Sequence, residues 1–60
     1  MFVELDTRHD FNFTVSLEWG RGTGETHIVV TDCGTYCVLI FPVPGEHARE
    51  AFRHPYRYAP

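Results

Sequence analysis

Two cysteines and a histidine of this chain are candidate ligands for a metal ion. Cys33 and Cys37 have three residues between them, and His27 lies a short distance upstream. Thiolate and imidazole groups are the ligands that zinc prefers, so this set allows a zinc site. Strand alternation, however, points Cys37 into the predicted core and leaves Cys33 at a turn. We therefore expect no metal or other cofactor, and we interpret both cysteines as free thiols.

Ser16, Cys33 and the neighbouring pair His9 and Asp10 are the other candidates for chemistry. Nucleophilic catalysis needs a nucleophile, a base and an orienting acid held together. Ser16 falls in the middle of a predicted strand, and Cys33 has no base beside it in the sequence. A chain of 60 residues also has little room for a concave substrate pocket. The sequence therefore favours a protein that is not an enzyme.

The C-terminal end combines arginine with tyrosine, a mixture that binds phosphates and stacks on bases. The residues concerned are Arg49, Arg53, Tyr56, Arg57 and Tyr58. The formal net charge of -3 argues against nucleic acid, because binders of a phosphate backbone usually carry a basic excess. Glu46 and Glu50 also lie among these arginines. Nucleic-acid binding is thus the alternative function.

Alternation of apolar and polar residues predicts the sheet that must position these groups. Four strands are predicted, at about 2–6, 11–19, 25–31 and 36–41. The glycine-rich segment 20–24 is predicted to be a hairpin loop, because a β-branched strand follows it and a phosphate-binding loop would precede a helix. The turn at 32–35 is predicted to pair Val30 with Cys37 and to place Gly34 at a positive φ.

This register divides the sheet into two faces. The predicted core face collects Phe11, Phe13, Val15, Leu17, Trp19, Ile28, Val30, Cys37, Leu39 and Phe41. The outer face is polar toward one edge and apolar toward the other, where it carries Val29, Tyr36, Val38 and Ile40. An apolar patch on a terminal strand is typical of a contact surface, so we predict that these residues bind a partner.

The segment from Pro42 to Gly45 is predicted to end the sheet and to lead into a helix at about 45–54, which Pro55 stops. A helix of about ten residues is marginal alone, so it should pack on the apolar face, with Phe52 as its anchor. The tail, 55–60, brings Tyr56 and Tyr58 either across an open part of the sheet or into contact with a partner.

The sequence thus predicts one small α+β domain over residues 1–60, a three- to four-stranded antiparallel meander with one C-terminal helix. The first residues do not follow the pattern of a secretory signal, and no apolar run approaches the roughly 20 residues of a membrane span. We expect a cytoplasmic, non-catalytic protein that binds another protein or a second copy of itself. Its size, and basic residues that are all arginine, prompt the hypothesis of a phage or mobile-element accessory protein.

Overall fold

The computed structural model describes residues 1–60, which form one antiparallel sheet followed by short helical segments. The four strands are β1 (Phe2–Asp10), β2 (Phe13–Gly20), β3 (Thr26–Asp32) and β4 (Cys37–Val43). They lie side by side in chain order, so β1 and β4 are the edges of the sheet. Four antiparallel strands with one short α-helix confirm the predicted α+β class and the meander.

The first hairpin turns later in the chain than predicted. Phe11 and Asn12 form its turn, between the paired residues Asp10 and Phe13. The predicted position of Phe11 on the core face is therefore wrong, because the ring lies in a turn and is fully exposed. The polar residues from Thr7 to Asp10 are typical of a loop, so the sequence predicted the first strand to end before them. They form a strand here because β2 offers a partner for their backbone groups.

The pairing of β3 with β4 differs from the predicted register by two residues. Val30 lies opposite Leu39, and Asp32 lies opposite Cys37, so the predicted pairing of Val30 with Cys37 is wrong. Because side chains alternate with a period of two, this shift leaves the side chains that lie in β3 and β4 on their predicted faces. The connecting loop, 33–36, has its positive φ at Tyr36 and not at Gly34 as predicted.

The predicted sheet break at Pro42 is also wrong, since β4 continues through Pro42 to Val43. An edge strand accepts proline where the missing N–H would face solvent. The predicted helix over 45–54 is divided: Gly45–His47 is a 3-10 turn and α1 (Ala48–Arg53) is α-helical. A second 3-10 turn, Pro55–Arg57, follows α1.

The core is a cluster of buried apolar side chains from β2, β3, β4 and α1. Its members are Val15, Ile28, Val30, Phe41, Val43, Ala48 and Ala51. The small residues Ala48 and Ala51 are the buried residues of α1, whereas Phe52, the predicted anchor, is partly buried at the margin of the cluster. Small side chains on the contact face let a helix lie close to a sheet.

Several residues of the predicted core face are exposed because α1 is short. It lies mainly against β2 and β3. Trp19, Leu39 and Cys37 are consequently exposed, which corrects the prediction that Cys37 points into the core. Arg8 of β1 joins the helix to the sheet, since its Nε donates to the Phe52 carbonyl at 3.0 Å and its Nη2 to the Arg53 carbonyl at 3.1 Å.

Candidate protein-binding surface

Two neighbouring turns carry exposed aromatic residues in left-handed backbone conformations. Phe11 has a φ of 50° and Tyr36 a φ of 59°, the positive values among non-glycine residues. Their exposed fractions are 103% and 86%. The two turns adjoin, because the Cys33 N–H donates to the Asn12 carbonyl at 2.6 Å. A left-handed conformation costs an ordinary L-residue about 1–2 kcal/mol, and an exposed ring adds no burial that would offset this cost.

β4 extends this exposed surface along the edge of the sheet. Val38 and Ile40 are 57% and 58% exposed, and Val29, directly opposite Ile40, is partly buried. We call Val29, Tyr36, Val38 and Ile40 the outer patch. The core cluster and α1 lie against the opposite face, as the alternation along β3 and β4 requires. Val29, Val38 and Ile40 therefore lie on one face of the sheet, and Tyr36 lies in the loop that precedes β4.

The outer face becomes polar toward β1. The Ser16 hydroxyl lies 3.1 Å from the Thr7 hydroxyl and 3.4 Å from a Glu4 carboxylate oxygen. Further along the sheet, His27 Nε2 lies 2.7 Å from Glu18 Oε1. This face is thus an apolar patch beside a polar region, the arrangement that protein interfaces show between centre and rim.

The predicted tyrosines of the tail are not part of the outer patch. Tyr58 is partly buried and packs against the core cluster. Tyr56 is exposed, and its ring meets the edge of the Phe13 ring at a centroid distance of 6.3 Å. Phe13 itself packs against the same cluster, so both tyrosines lie on the core side of the sheet. Neither tyrosine therefore covers the outer patch.

The predicted basic residues do come together, on the outer side of the helical segment. An open groove of about 440 Å³ is lined by Glu46, Arg49, Glu50, Arg53, His54 and Arg57. Arg57 Nη1 donates to Glu50 Oε2 at 3.2 Å, so a carboxylate offsets part of the arginine charge. Partial burial raises the pKa of the Tyr58 hydroxyl, and Glu50 raises it further, while Arg57 acts in the opposite direction.

The three candidate metal ligands do not lie together. Cys33 and Cys37 are exposed free thiols beside the 33–36 loop, whereas His27 lies near the other end of β3 and faces Glu18. No three His, Cys, Asp or Glu side chains are grouped so that they could hold a metal ion.

One contact among the candidate catalytic residues was not predicted from the sequence. The Thr14 hydroxyl lies 3.1 Å from His9 Nδ1 and 4.0 Å from Cys33 Sγ. A sulfur–oxygen distance of 4.0 Å makes a weak link, and the Thr14 hydroxyl is the group that contacts both side chains. Direct removal of the thiol proton by His9 therefore has no support in this arrangement.

No protein family, curated protein or solved structure matches the chain. The structure shows a small α+β protein with four antiparallel strands in one sheet and one short α-helix. None of its helices combines the length and the hydrophobicity that crossing a membrane requires.

Proposed function

We propose that the protein is a non-catalytic interaction protein that binds another protein through Phe11 and the outer patch. The observation that carries this proposal is the exposure of Phe11 and Tyr36 at left-handed turn positions. Asn or Gly at either position would relieve backbone strain, so the aromatic side chains do not serve folding. Strained residues of this kind concentrate where a molecule makes its functional contacts.

The chemistry of this surface fits a protein partner. Aromatic side chains contribute disproportionately to binding energy in protein interfaces, especially when apolar neighbours surround them. Val38 and Ile40 are exposed apolar side chains on β4, the strand that follows Tyr36, and β4 carries no charged side chain that binding would have to desolvate. The hydroxyl-bearing positions of the outer face supply a polar rim.

The test compares proteins captured by the tagged chain with those captured by two variants. Phe11→Asn combined with Tyr36→Asn removes both rings and suits the left-handed backbone, so this variant should be at least as stable as the original chain. Leu5→Thr is the matched control, because it removes an exposed apolar side chain from the opposite edge strand. We expect the control to capture as much of the partner as the original chain does. The double variant should capture at least tenfold less. Equal capture by all three proteins would overturn the proposal.

Nucleic-acid binding is the second candidate, and the convergence of Arg49, Arg53, His54 and Arg57 on one groove favours it. The test is the anisotropy of a fluorescein-labelled oligothymidine at two salt concentrations. Binding that weakens steeply with salt and is lost in Arg49→Ala with Arg53→Ala would move the function to this groove. No binding at low salt would remove this candidate.

A further inference from the structure

We propose that β4 pairs with β4 of a second copy of the chain, antiparallel about a two-fold axis at Leu39. The pairing uses the free backbone edge of β4. It goes beyond the proposed function, because it does not depend on whether the outer patch binds a different protein.

The two edges of the sheet differ in their protection against such pairing. β1 carries Glu4, Asp6, Arg8 and Asp10, and its register with β2 is interrupted between Glu4 and Asp6. Charges and irregularities of this kind are how proteins block edge-to-edge association. β4 has neither: its residues are uncharged, and its pairing with β3 is continuous from Thr26 and Val43 to Asp32 and Cys37. Its one residue that opposes edge pairing is Pro42, next to the end of the strand. The second copy should therefore approach β4.

Pro42 shows which backbone groups of β4 point to the free edge. It lies opposite His27 in the ladder, although proline has no N–H to give to a neighbouring strand. A proline fits such a strand where its nitrogen faces away from the partner, which here means away from β3. Because backbone direction alternates along a strand, the N–H and C=O groups of Val38 and Ile40 also face the free edge.

These outward groups define one register between the two copies. An axis at Leu39 pairs Val38 of each copy with Ile40 of the other, so each outward N–H meets an outward C=O. An axis at Ile40 would instead place Val38 opposite Pro42, which has no N–H to donate. An axis at Val38 would require Tyr36 in the ladder, but Tyr36 lies outside β4 with a φ of 59°.

The side chains are compatible with this register. Val38 and Ile40 of the two copies would lie next to each other, which joins the two outer patches into one apolar area. No charged side chain of β4 would meet its own copy. The ladder is short and Pro42 ends it, so the contact belongs to the small interfaces that dissociate on dilution.

A disulfide cross-link tests both the pairing and its register. In a Cys33→Ser, Cys37→Ser background, Leu39→Cys would face its own copy in a non-hydrogen-bonded pair, where Cα atoms lie about 4.5 Å apart. This separation is within the range of a disulfide. Ile40→Cys is the matched control, since it would face Val38 of the second copy. Under a glutathione redox buffer, we expect Leu39→Cys to give at least tenfold more covalent dimer than Ile40→Cys.

Equal cross-linking of the two variants, or more from Ile40→Cys, would overturn the Leu39 axis. Sedimentation velocity of the unsubstituted chain adds a measurement that does not depend on how the cysteine variants fold. A dimer that increases with concentration is expected. A monomer at every concentration would overturn the pairing itself and would leave the proposed function of the outer patch untouched.

Discussion

At Phe11, the residue that best suits folding differs from the residue present. The left-handed backbone there favours asparagine or glycine, and the ring is exposed to solvent. We predict that Phe11→Asn stabilises the protein by about 0.5–1 kcal/mol, because it relieves strain without removing buried surface. Urea denaturation measures the difference. Phe11→Ala is the control, since it removes the same ring but keeps the strain, and it should change stability little.

If Phe11→Asn and Phe11→Ala both destabilised the protein, the ring would contribute to folding and the main support for a binding role would be lost. The sequence could not place this residue. The alternation from Phe13 to Trp19 extends back to Phe11 without a break, and a regular pattern does not show where a strand ends. Asn12 was the one residue that could have indicated the turn at this position, because asparagine is common in tight turns.

Tyr58 makes the stability of the protein depend on pH. Partial burial and Glu50 raise the pKa of its hydroxyl above the ordinary tyrosine value of about 10, so the folded state holds the proton more tightly than the unfolded state. The resulting stabilisation is complete below about pH 10 and is lost as the pH rises through the raised pKa. Tyr58→Phe should reduce the fall in stability between about pH 9 and pH 11.

Denaturant titrations at both pH values measure this effect. Tyr36→Phe is the control, because it removes a hydroxyl from an exposed ring. An unchanged pH dependence in Tyr58→Phe would contradict the assignment to Tyr58.

Among the elements, the edge strand β1 is joined to the end of α1 by one side chain. Arg8 donates to the carbonyls of Phe52 and Arg53, and its guanidinium lies 5.7 Å from the centre of the Phe52 ring. Both carbonyls lie in the last turn of the helix, where a cation is favourable. We predict that Arg8→Met lowers the free energy of unfolding by about 1–2 kcal/mol.

Arg8→Lys should recover only part of this loss, because a single ammonium does not reproduce the two fixed N–H directions of a guanidinium. Amide hydrogen exchange in Ala48–Arg53 is the measurement, with urea denaturation for the total change. If Arg8→Met left exchange in α1 unchanged, the link between strand and helix would carry no stability.

The small residues of α1 let the helix lie close to the sheet. Ala51 is completely buried, so Ala51→Leu would force extra atoms into a packed contact and should cost about 1–3 kcal/mol. Arg49→Leu introduces the same side chain at an exposed position of the same helix and should be nearly neutral. The midpoint temperatures of thermal unfolding of the two variants measure this difference. Equal stability would mean that α1 does not lie close to the sheet.

The strands were more predictable than their ends and pairing. Alternation identified the two faces of β2, β3 and β4, because the side-chain period survives a register error of two residues. It could not show that Cys37 and Leu39 would be exposed on the core side, since that depends on how far the short helix α1 reaches. The first strand was shortened in the prediction because charged edge residues resemble a loop.

For the whole molecule, one short helix cannot cover both faces of a four-stranded sheet. The core forms on one face, and the apolar side chains of β4 on the other face stay exposed. With only about 60% of its surface buried on folding, a chain of 60 residues has little stability to spare, so exposed aromatic residues in strained turns require a reason outside folding. The proposed binding through Phe11 and β4 would supply that reason.

The most direct test of this account is amide hydrogen exchange at Val38 and Ile40 in the unsubstituted chain. Both N–H groups face the free edge, so they should exchange rapidly in a dilute monomer. We predict that their exchange slows at least tenfold as the concentration rises or when a captured partner is added, while Glu4 and Leu5 on the opposite edge keep their rates. Rapid exchange at Val38 and Ile40 under both conditions would contradict the assignment of β4 as a binding edge.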